Sequence, residues 1–199
     1  MGAFSLYVQL MEAKQSEGLP RKTAVFTFGR FNPPTKGHAR LIATVNDVAQ
    51  SVNGDPFVFV SRSFDKDKNP LAFNDKLSFM QKFFPDTNII DNEQIKNPFH
   101  AAGYLSHLKY TDIVLVVGSD RVKEFEQRFN NPDKFFNSFK VVSAGERDPD
   151  SEGLIGMSGT KARIAAKNNS LGAFRAATGW DGDVSLELLR AVQRGMGNG

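Results

Sequence analysis

The segment from Gly29 to His38 carries the side chains best suited to chemistry. It reads Gly-Arg-Phe-Asn-Pro-Pro-Thr-Lys-Gly-His and follows a short apolar run. Its two prolines stiffen the chain, and Gly29 lets the backbone approach a ligand closely. Thr35 and His38 lie one turn apart at the start of a predicted helix, where unpaired amide groups and the helix dipole favour an anion. The spacing predicts a phosphate site, although the P-loop pattern and the dinucleotide glycine fingerprint are both absent.

A second cluster of hydroxyl and cationic side chains occupies residues 157–163, Met-Ser-Gly-Thr-Lys-Ala-Arg. Ser158 is a predicted helix N-cap, and Thr160, Lys161 and Arg163 fall in the first turns of that helix. Cations at a helix N-terminus oppose the helix dipole, so their placement favours a bound anion. An ordinary capped helix at the surface is the alternative.

Strands and helices alternate around these two clusters. Apolar runs predict strands at 23–28, 56–61, 88–90, 112–117 and 139–143. Helical periodicity predicts helices at 35–51, from an N-cap at Asn74, and at 98–109, 121–129, 158–167, 171–177 and 184–194. This alternation is typical of an α/β protein with a Rossmann-like, doubly wound parallel sheet of about five strands and C-terminal helices. In such sheets the ligand lies beyond the carboxyl ends of the strands.

Length and composition indicate one globular domain. The chain has 199 residues, of which 40% are hydrophobic and 24% charged. We expect the domain to span residues 21–199, with a core at 23–168 and C-terminal helices at 169–195. Residues 1–20 read as an extension, a short helix followed by a linker.

Several function classes are disfavoured by composition. The chain has no cysteine, which excludes disulfides, thiolate metal sites and cysteine nucleophiles. A net charge of +3 is too small to indicate a nucleic-acid-binding protein. Neither a membrane-spanning run nor a signal peptide is evident, so we expect a cytoplasmic protein that does not enter the membrane.

Three motifs resemble those of the nucleotidyltransferase superfamily typified by nicotinamide-mononucleotide adenylyltransferases and cytidylyltransferases. Residues 35–38, Thr-Lys-Gly-His, match its (H/T)-x-G-H motif, and residues 118–120, Gly-Ser-Asp, match a G-x-D element. Residues 157–163 resemble its I-S-S-T-x-x-R motif, with departures at Met157 and Gly159. The resemblance covers about residues 23–168. The block 143–148, Ser-Ala-Gly-Glu-Arg-Asp, is similar to one in bacteriophage-encoded members, for which the location would be the host cytoplasm.

The resemblance implies transfer of a nucleoside monophosphate to a phosphorylated small molecule, with release of pyrophosphate. It assigns catalysis to His38, Thr35 and Arg163. It assigns nucleotide binding to Gly29, Arg30, Phe31, Lys36, Gly118, Asp120, Ser158, Thr160 and Lys161. Mg²⁺ is expected to be held mainly through the nucleotide phosphates, so no side-chain metal site is expected.

The acceptor is the open question. Residues 61–71 resemble a loop of archaeal-type nicotinamide-mononucleotide enzymes, which implies acceptor contacts from Arg62 and Asn69. This favours ATP and nicotinamide mononucleotide, a step of NAD biosynthesis. The alternatives are CTP with a sugar or polyol phosphate, pantetheine phosphate as acceptor, or a non-catalytic nucleotide-binding accessory or virion protein on the same fold. Relatives often form dimers or larger rings, so a homo-oligomer is compatible with the resemblance.

Overall fold

A computed structural model describes residues 22–129, 136–145 and 158–197. The predicted extension at residues 1–20 lies outside the described residues. The same holds for Met157 and for residues 146–148 of the block that resembles bacteriophage-encoded members.

In the part of the chain that the structure describes, five strands form one parallel sheet. They are β1 (Thr23–Gly29), β2 (Asp55–Val60), β3 (Ile89–Ile90), β4 (Asp112–Val117) and β5 (Ser138–Ser143). The strand order is β3-β2-β1-β4-β5, and every neighbouring pair is parallel. The predicted fold class is therefore confirmed. The chain order reverses between β1 and β4, which opens the crevice where α/β sheets bind ligands.

Seven α-helices accompany the sheet in the described residues. They are α1 (Gly37–Ser51), α2 (Phe73–Phe83), α3 (Pro98–His107), α4 (Val122–Arg128), α5 (Gly159–Lys167), α6 (Leu171–Thr178) and α7 (Gly182–Met196). A short 3₁₀ turn, Ser119–Arg121, precedes α4. The first four helices alternate with strands, as predicted, and the last three follow β5.

The predicted N-cap of α2 was wrong. Asn74 was expected to cap α2, but the helix begins at Phe73 and its N-cap residue is Ala72. Ala72 has extended backbone, and its carbonyl accepts the amide of Lys76 at 3.0 Å. Asn74 lies within the first turn because the buried face of the helix already includes Phe73, which packs against the core.

The sheet is apolar on both faces because helices cover both. On one face, Val25 and Val114 pack with Val45 of α1. On the other face, Phe26 and Leu115 pack in the cluster that includes α3 and α4. β4 is buried along its whole length, which explains why its sequence, Asp-Ile-Val-Leu-Val-Val, shows no alternation.

The C-terminal helices form a second apolar cluster beside the sheet. Phe174 of α6 and Leu188 of α7 pack with Ala162 of α5, and with Phe79 of α2 and Leu71. This packing sets the N-terminus of α5 beside the loop that follows β1. None of the helices in the described ranges combines the length and apolar character that a membrane span needs.

Candidate functional site

The loop after β1 begins with a close contact between a glycine and a phenylalanine. Phe31 has a left-handed backbone (φ 45°) and a side chain only 1% exposed. Its ring folds back over Gly29, where an added Cβ would lie 2.6 Å from Phe31 Cε2. Gly29 is therefore needed for the packing of Phe31. Both residues were predicted as backbone contacts for phosphate, and the structure adds that Phe31 anchors the loop in the core.

His38 is oriented by its own loop. The Thr35 amide donates to His38 Nδ1 at 2.9 Å, and Thr35 Oγ1 lies 3.0 Å from the same nitrogen. Because Nδ1 accepts the amide hydrogen, this bond assigns the proton of a neutral ring to Nε2. The Phe31 ring packs edge-on against the imidazole, with 4.9 Å between centroids. Thr35 is 1% exposed, so its polar groups are directed to His38.

Asn32 joins three segments of the site, and the sequence did not single it out. Its side chain is buried and forms both available bonds to the Leu71 backbone: Nδ2 donates to the carbonyl at 3.2 Å, and Oδ1 accepts the amide at 2.9 Å. Its own carbonyl accepts from Arg163 Nη1 at 2.8 Å. Asn32 thus ties the loop after β1 to the loop after β2 and to α5. An asparagine before two prolines reads locally as a turn residue, so no sequence signal indicates these distant partners.

Arg163, near the N-terminus of α5, lies beside the loop that follows β1. Ser158 caps the helix by accepting the Thr160 amide at 3.2 Å, which confirms the predicted cap. Arg163 Nη2 donates to Thr160 Oγ1 at 3.0 Å. Burial, followed by the charge of Arg30, lowers the pKa of Arg163, and Asp65 opposes this shift. The side chain of Lys161, by contrast, is exposed.

Lys36 faces the C-terminal helices. Its amide donates to the Thr178 carbonyl at 2.8 Å, and its ammonium lies 5.6 Å from the centroid of the Trp180 ring. Trp180 donates from Nε1 to the Pro34 carbonyl at 3.2 Å and stacks on Phe83 with 3.9 Å between centroids. The link between α6 and α7 therefore braces the loop after β1.

The carboxyl end of β4 carries the predicted ribose contact. An added Cβ on Gly118 would lie 2.6 Å from Asp120 Oδ1. Gly118 thus lets the carboxylate fold back over the end of the strand. Asp120 is exposed in the 3₁₀ turn, and β4 is the neighbour of β1 in the sheet. Asp120 and the loop that carries His38 therefore follow the two strands that border the crevice.

The loop after β2 carries the predicted acceptor contacts. The Arg62 guanidinium lies 3.7 Å from the centroid of the Phe73 ring, and its Nη2 is 3.5 Å from Asp91 Oδ1. Asn69 is buried and donates from Nδ2 to Asp65 Oδ2 at 2.6 Å. Within the described residues, Arg62 Nε and Asn69 Oδ1 are buried and have no hydrogen-bond partner. Buried polar atoms without a partner are unusual in native proteins.

Lys76 of α2 is a second residue that the sequence analysis missed. Its side chain is fully buried, and its Nζ donates to the carbonyls of Ser61 at 2.7 Å and Ser63 at 3.3 Å. Burial, and secondly the Arg30 charge, lower the pKa of Lys76 to about 8. A signal was available, because Lys76 lies three residues after Phe73 and four before Met80, on the apolar face of the predicted helix.

At the opposite edge of the sheet, where the strands begin, the carboxylates are hydrogen-bonded within the protein. Asp112, at the amino end of β4, is buried and accepts from Ser138 Oγ at 2.6 Å and Thr111 Oγ1 at 2.9 Å. Asp55, at the amino end of β2, accepts from the Tyr110 hydroxyl at 2.6 Å. These carboxylates have partners within the protein. The buried atoms without a partner are those of Arg62 and Asn69, and they lie at the carboxyl edge instead. The same edge holds Arg30, whose charge lowers the pKa of both Lys76 and Arg163.

Comparison with known proteins agrees with this geometry. The chain matches the family model described as cytidylyltransferase-like over residues 26–165. This range begins within β1, ends within α5 and includes the loops after β1, β2 and β4. A comparison with curated proteins gave no match.

Solved structures add little beyond this match. One similar structure is titled as a macrolide-efflux protein from Streptococcus pneumoniae, with 16% identity and a TM-score of 0.47. The aligned region covers 83% of this chain and 58% of that one, and nothing about function follows from so weak a likeness. The family match spans more than half of the chain, and the sheet order is that of a Rossmann-like fold. The chain belongs to the cytidylyltransferase-like family of nucleotidyltransferases.

Proposed function

We propose that this protein transfers a nucleoside monophosphate from a nucleoside triphosphate to a phosphorylated small molecule. The observation that carries the proposal is the fixed His38 imidazole, held by Thr35 in a loop that also binds Arg163 through the Asn32 carbonyl. This arrangement sets a ring N–H donor and a guanidinium at the carboxyl edge of the sheet. Both groups suit a triphosphate, because charge-assisted hydrogen bonds to phosphate oxygens are strong.

The reaction needs no covalent enzyme intermediate. An oxygen of the acceptor phosphate attacks the α-phosphorus of the nucleotide, and a new P–O bond forms. The bond from the α-phosphorus to the oxygen that bridges to the β-phosphate breaks, and pyrophosphate leaves with that electron pair. The acceptor is already anionic near neutral pH, since the second phosphate pKa is about 6. The protein's task is therefore positioning and charge stabilisation.

Some residues of the proposed site contact the nucleotide, and others position a residue that does. His38 Nε2–H would donate to the α-phosphate, where charge develops, while Arg163, Thr160 and Ser158 would bind the departing β- and γ-phosphates. Thr35 acts through His38, because its amide and hydroxyl are directed to Nδ1. Thr35 is therefore a positioning residue rather than a second phosphate contact.

Other predicted nucleotide contacts keep supporting roles. Asp120 would accept from the ribose hydroxyls across Gly118. The Arg30 charge, together with the backbone from Gly29 to Phe31, would attract the triphosphate. Lys161 is exposed and Lys36 lies over Trp180, so we assign them only a contribution to the local positive field.

The nucleotide would enter as its Mg²⁺ complex. In the described ranges, no three His, Asp or Glu side chains converge in a way that could hold a metal ion. Mg²⁺ commonly keeps several waters and binds through substrate phosphates with few protein ligands. The ion is therefore treated as part of the substrate, where it offsets charge on the phosphates.

We propose ATP and nicotinamide mononucleotide as the substrate pair, on the basis of the loop that contains Arg62 and Asn69. CTP with a sugar or polyol phosphate is the second candidate, and the cytidylyltransferase-like description of the family favours it. Both pairs use the same phosphate chemistry. They differ in the groups that meet the nucleobase and the acceptor.

The test is pyrophosphate release from purified protein with ATP or CTP and a panel of phosphorylated acceptors, with the product mass as identification. We expect one nucleotide–acceptor pair to react. His38→Ala should then lower kcat by about 10²–10³-fold, as loss of a preorganised oxyanion donor does. His107→Ala, an exposed histidine on α3, is the matched control and should behave as wild type. Nucleotide binding without release by any pair would favour a binding protein on this fold.

A further inference from the structure

Lys76 has no part in the chemistry proposed above, yet burying its ammonium group costs free energy. A lysine is rarely fully buried unless its charge is paired, and Lys76 has no exposed surface. Its partners are two neutral carbonyls rather than a carboxylate, and the Arg30 charge repels it. Methionine would fill a similar volume without this electrostatic cost. The role of Lys76 is therefore inferred from the two carbonyls that it binds.

The carbonyls that Lys76 binds belong to Ser61 and Ser63, the residues on either side of Arg62. The Ser61 amide also donates to the Gly29 carbonyl at 2.8 Å, and the two serine hydroxyls lie 2.8 Å apart. The backbone on both sides of Arg62 is thus held by bonds from α2 and from the end of β1.

The same helix holds the side chain of Arg62. Phe73, one turn before Lys76, lies under the guanidinium at 3.7 Å. The one ion pair of Arg62 among the described residues is the long contact to Asp91, and its side chain is 26% exposed. Because that contact is long and involves only Nη2, the exposed end of the guanidinium keeps donors for a ligand. A planar guanidinium with unused donors matches a phosphate group.

We propose that Lys76 is a positioning residue, whose buried ammonium fixes the segment Ser61–Ser63 so that Arg62 presents its guanidinium to the phosphomonoester of the acceptor. Lys76 acts through the backbone and does not contact the substrate. The inference rests on the proposed function, and it names the group that recognises the acceptor phosphate and the group that prepares it.

Steady-state kinetics of a double-mutant cycle test this coupling. We expect Lys76→Met and Arg62→Ala each to raise the acceptor KM about tenfold or more, as loss of a charge-assisted contact does, while the nucleotide KM changes little. The double variant should be no worse than Arg62→Ala, because both changes remove one interaction. Lys82→Met is the control: it lies on the same helix but is exposed and paired with Glu187, and it should match wild type.

Two outcomes overturn the inference in this cycle. One is an unchanged acceptor KM in Lys76→Met. The other is a Lys76→Met effect that persists in full in the Arg62→Ala background, since a general structural defect would be independent of Arg62. If Lys76→Met does not fold, as judged by circular dichroism, Lys76→Gln replaces it.

A binding measurement separates this inference from the proposed function. Calorimetric titration with nicotinamide mononucleotide and with ribose 5-phosphate reports the phosphomonoester site without turnover. If no pair reacts, the proposed function fails, yet weaker binding of both probes by Lys76→Met and Arg62→Ala than by wild type would still support the positioning role. Equal binding by all three proteins, or no binding by wild type, would overturn it.

Discussion

His38 shows how one short loop prepares a catalytic side chain. The contacts that orient its ring come from Thr35 and Phe31, three and seven residues earlier in the chain. The imidazole needs no reorganisation when charge develops on a bound phosphate, and preorganised donors of this kind contribute strongly to catalysis. These two contacts are local in sequence.

Arg163 differs from His38 because one of its hydrogen-bond partners, Asn32, is distant in sequence. It bonds Asn32 and Thr160, and it lies half-buried near Arg30. Arg163→Ala should raise the nucleotide KM about tenfold or more, because a hydrogen bond to a charged group contributes about 1.5–3 kcal/mol. Steady-state kinetics with varied nucleotide measure this effect.

Arg194→Ala is the control for Arg163, since Arg194 is an exposed arginine of α7. It should leave the nucleotide KM at the wild-type value. An unchanged nucleotide KM in Arg163→Ala would remove Arg163 from the triphosphate site.

The elements of the fold place these residues together through close packing. α7 crosses the loop after β2 at Gly195, where an added Cβ would lie only 2.5 Å from the Pro70 carbonyl carbon. No side chain can be accommodated there without a backbone shift. The loop that carries Arg62 and Asn69 is therefore held by the C-terminal helices as well as by Asn32.

Two glycine substitutions test this contact. Gly195→Ala should lower Tm by several degrees and raise the acceptor KM, because the alanine methyl group overlaps the Pro70 backbone. Gly172→Ala in α6 meets no atom within 4 Å and should leave Tm unchanged or slightly raised, since alanine is the better helix former. Thermal unfolding measures both; equal Tm values would show that α7 does not pack against this loop as described.

Sequence patterns predicted the elements well and their contacts poorly. The uninterrupted apolar run of β4 and the Ser158 cap were readable because period and capping are local properties. Asn32 was missed because its partner Arg163 is 131 residues away. Lys76 was missed because a lysine on a helix is ordinarily exposed, although its position on the apolar face of α2 indicated burial. Local rules thus predict the fold, while long-range contacts complete the site.

The order of strands in the sheet decides where in the protein the chemistry can occur. The reversal between β1 and β4 opens one crevice, and the loops after β1, β2 and β4 all approach the same edge. α5 reaches that edge because the C-terminal helices pack against α2. The site therefore depends on the complete fold.

The stability of the molecule should carry a pH signature of Lys76. Burial and the Arg30 charge lower its pKa from 10.5 to about 8. Between these two values the unfolded chain binds the extra proton, so the free energy of unfolding rises with pH; below about 8 both states are protonated and no such dependence exists. The gain from pH 7 to pH 10 should be about 2 kcal/mol.

Denaturant unfolding of wild type and Lys76→Met at both pH values isolates this effect from other titrating groups. The stability of wild type relative to Lys76→Met should increase as the pH rises. A constant difference would show that Lys76 is not buried as an ammonium.

In the proposed reaction, an acceptor phosphate oxygen attacks the α-phosphorus. The most direct measurement uses each nucleotide with acceptors whose phosphate oxygens are isotopically heavy, followed by mass analysis of both products. We predict that the joined product retains all of the heavy oxygen, including the bridge between its two phosphorus atoms, and that the released pyrophosphate contains none. Heavy oxygen in the pyrophosphate, or no joined product from any pair, would contradict the claim.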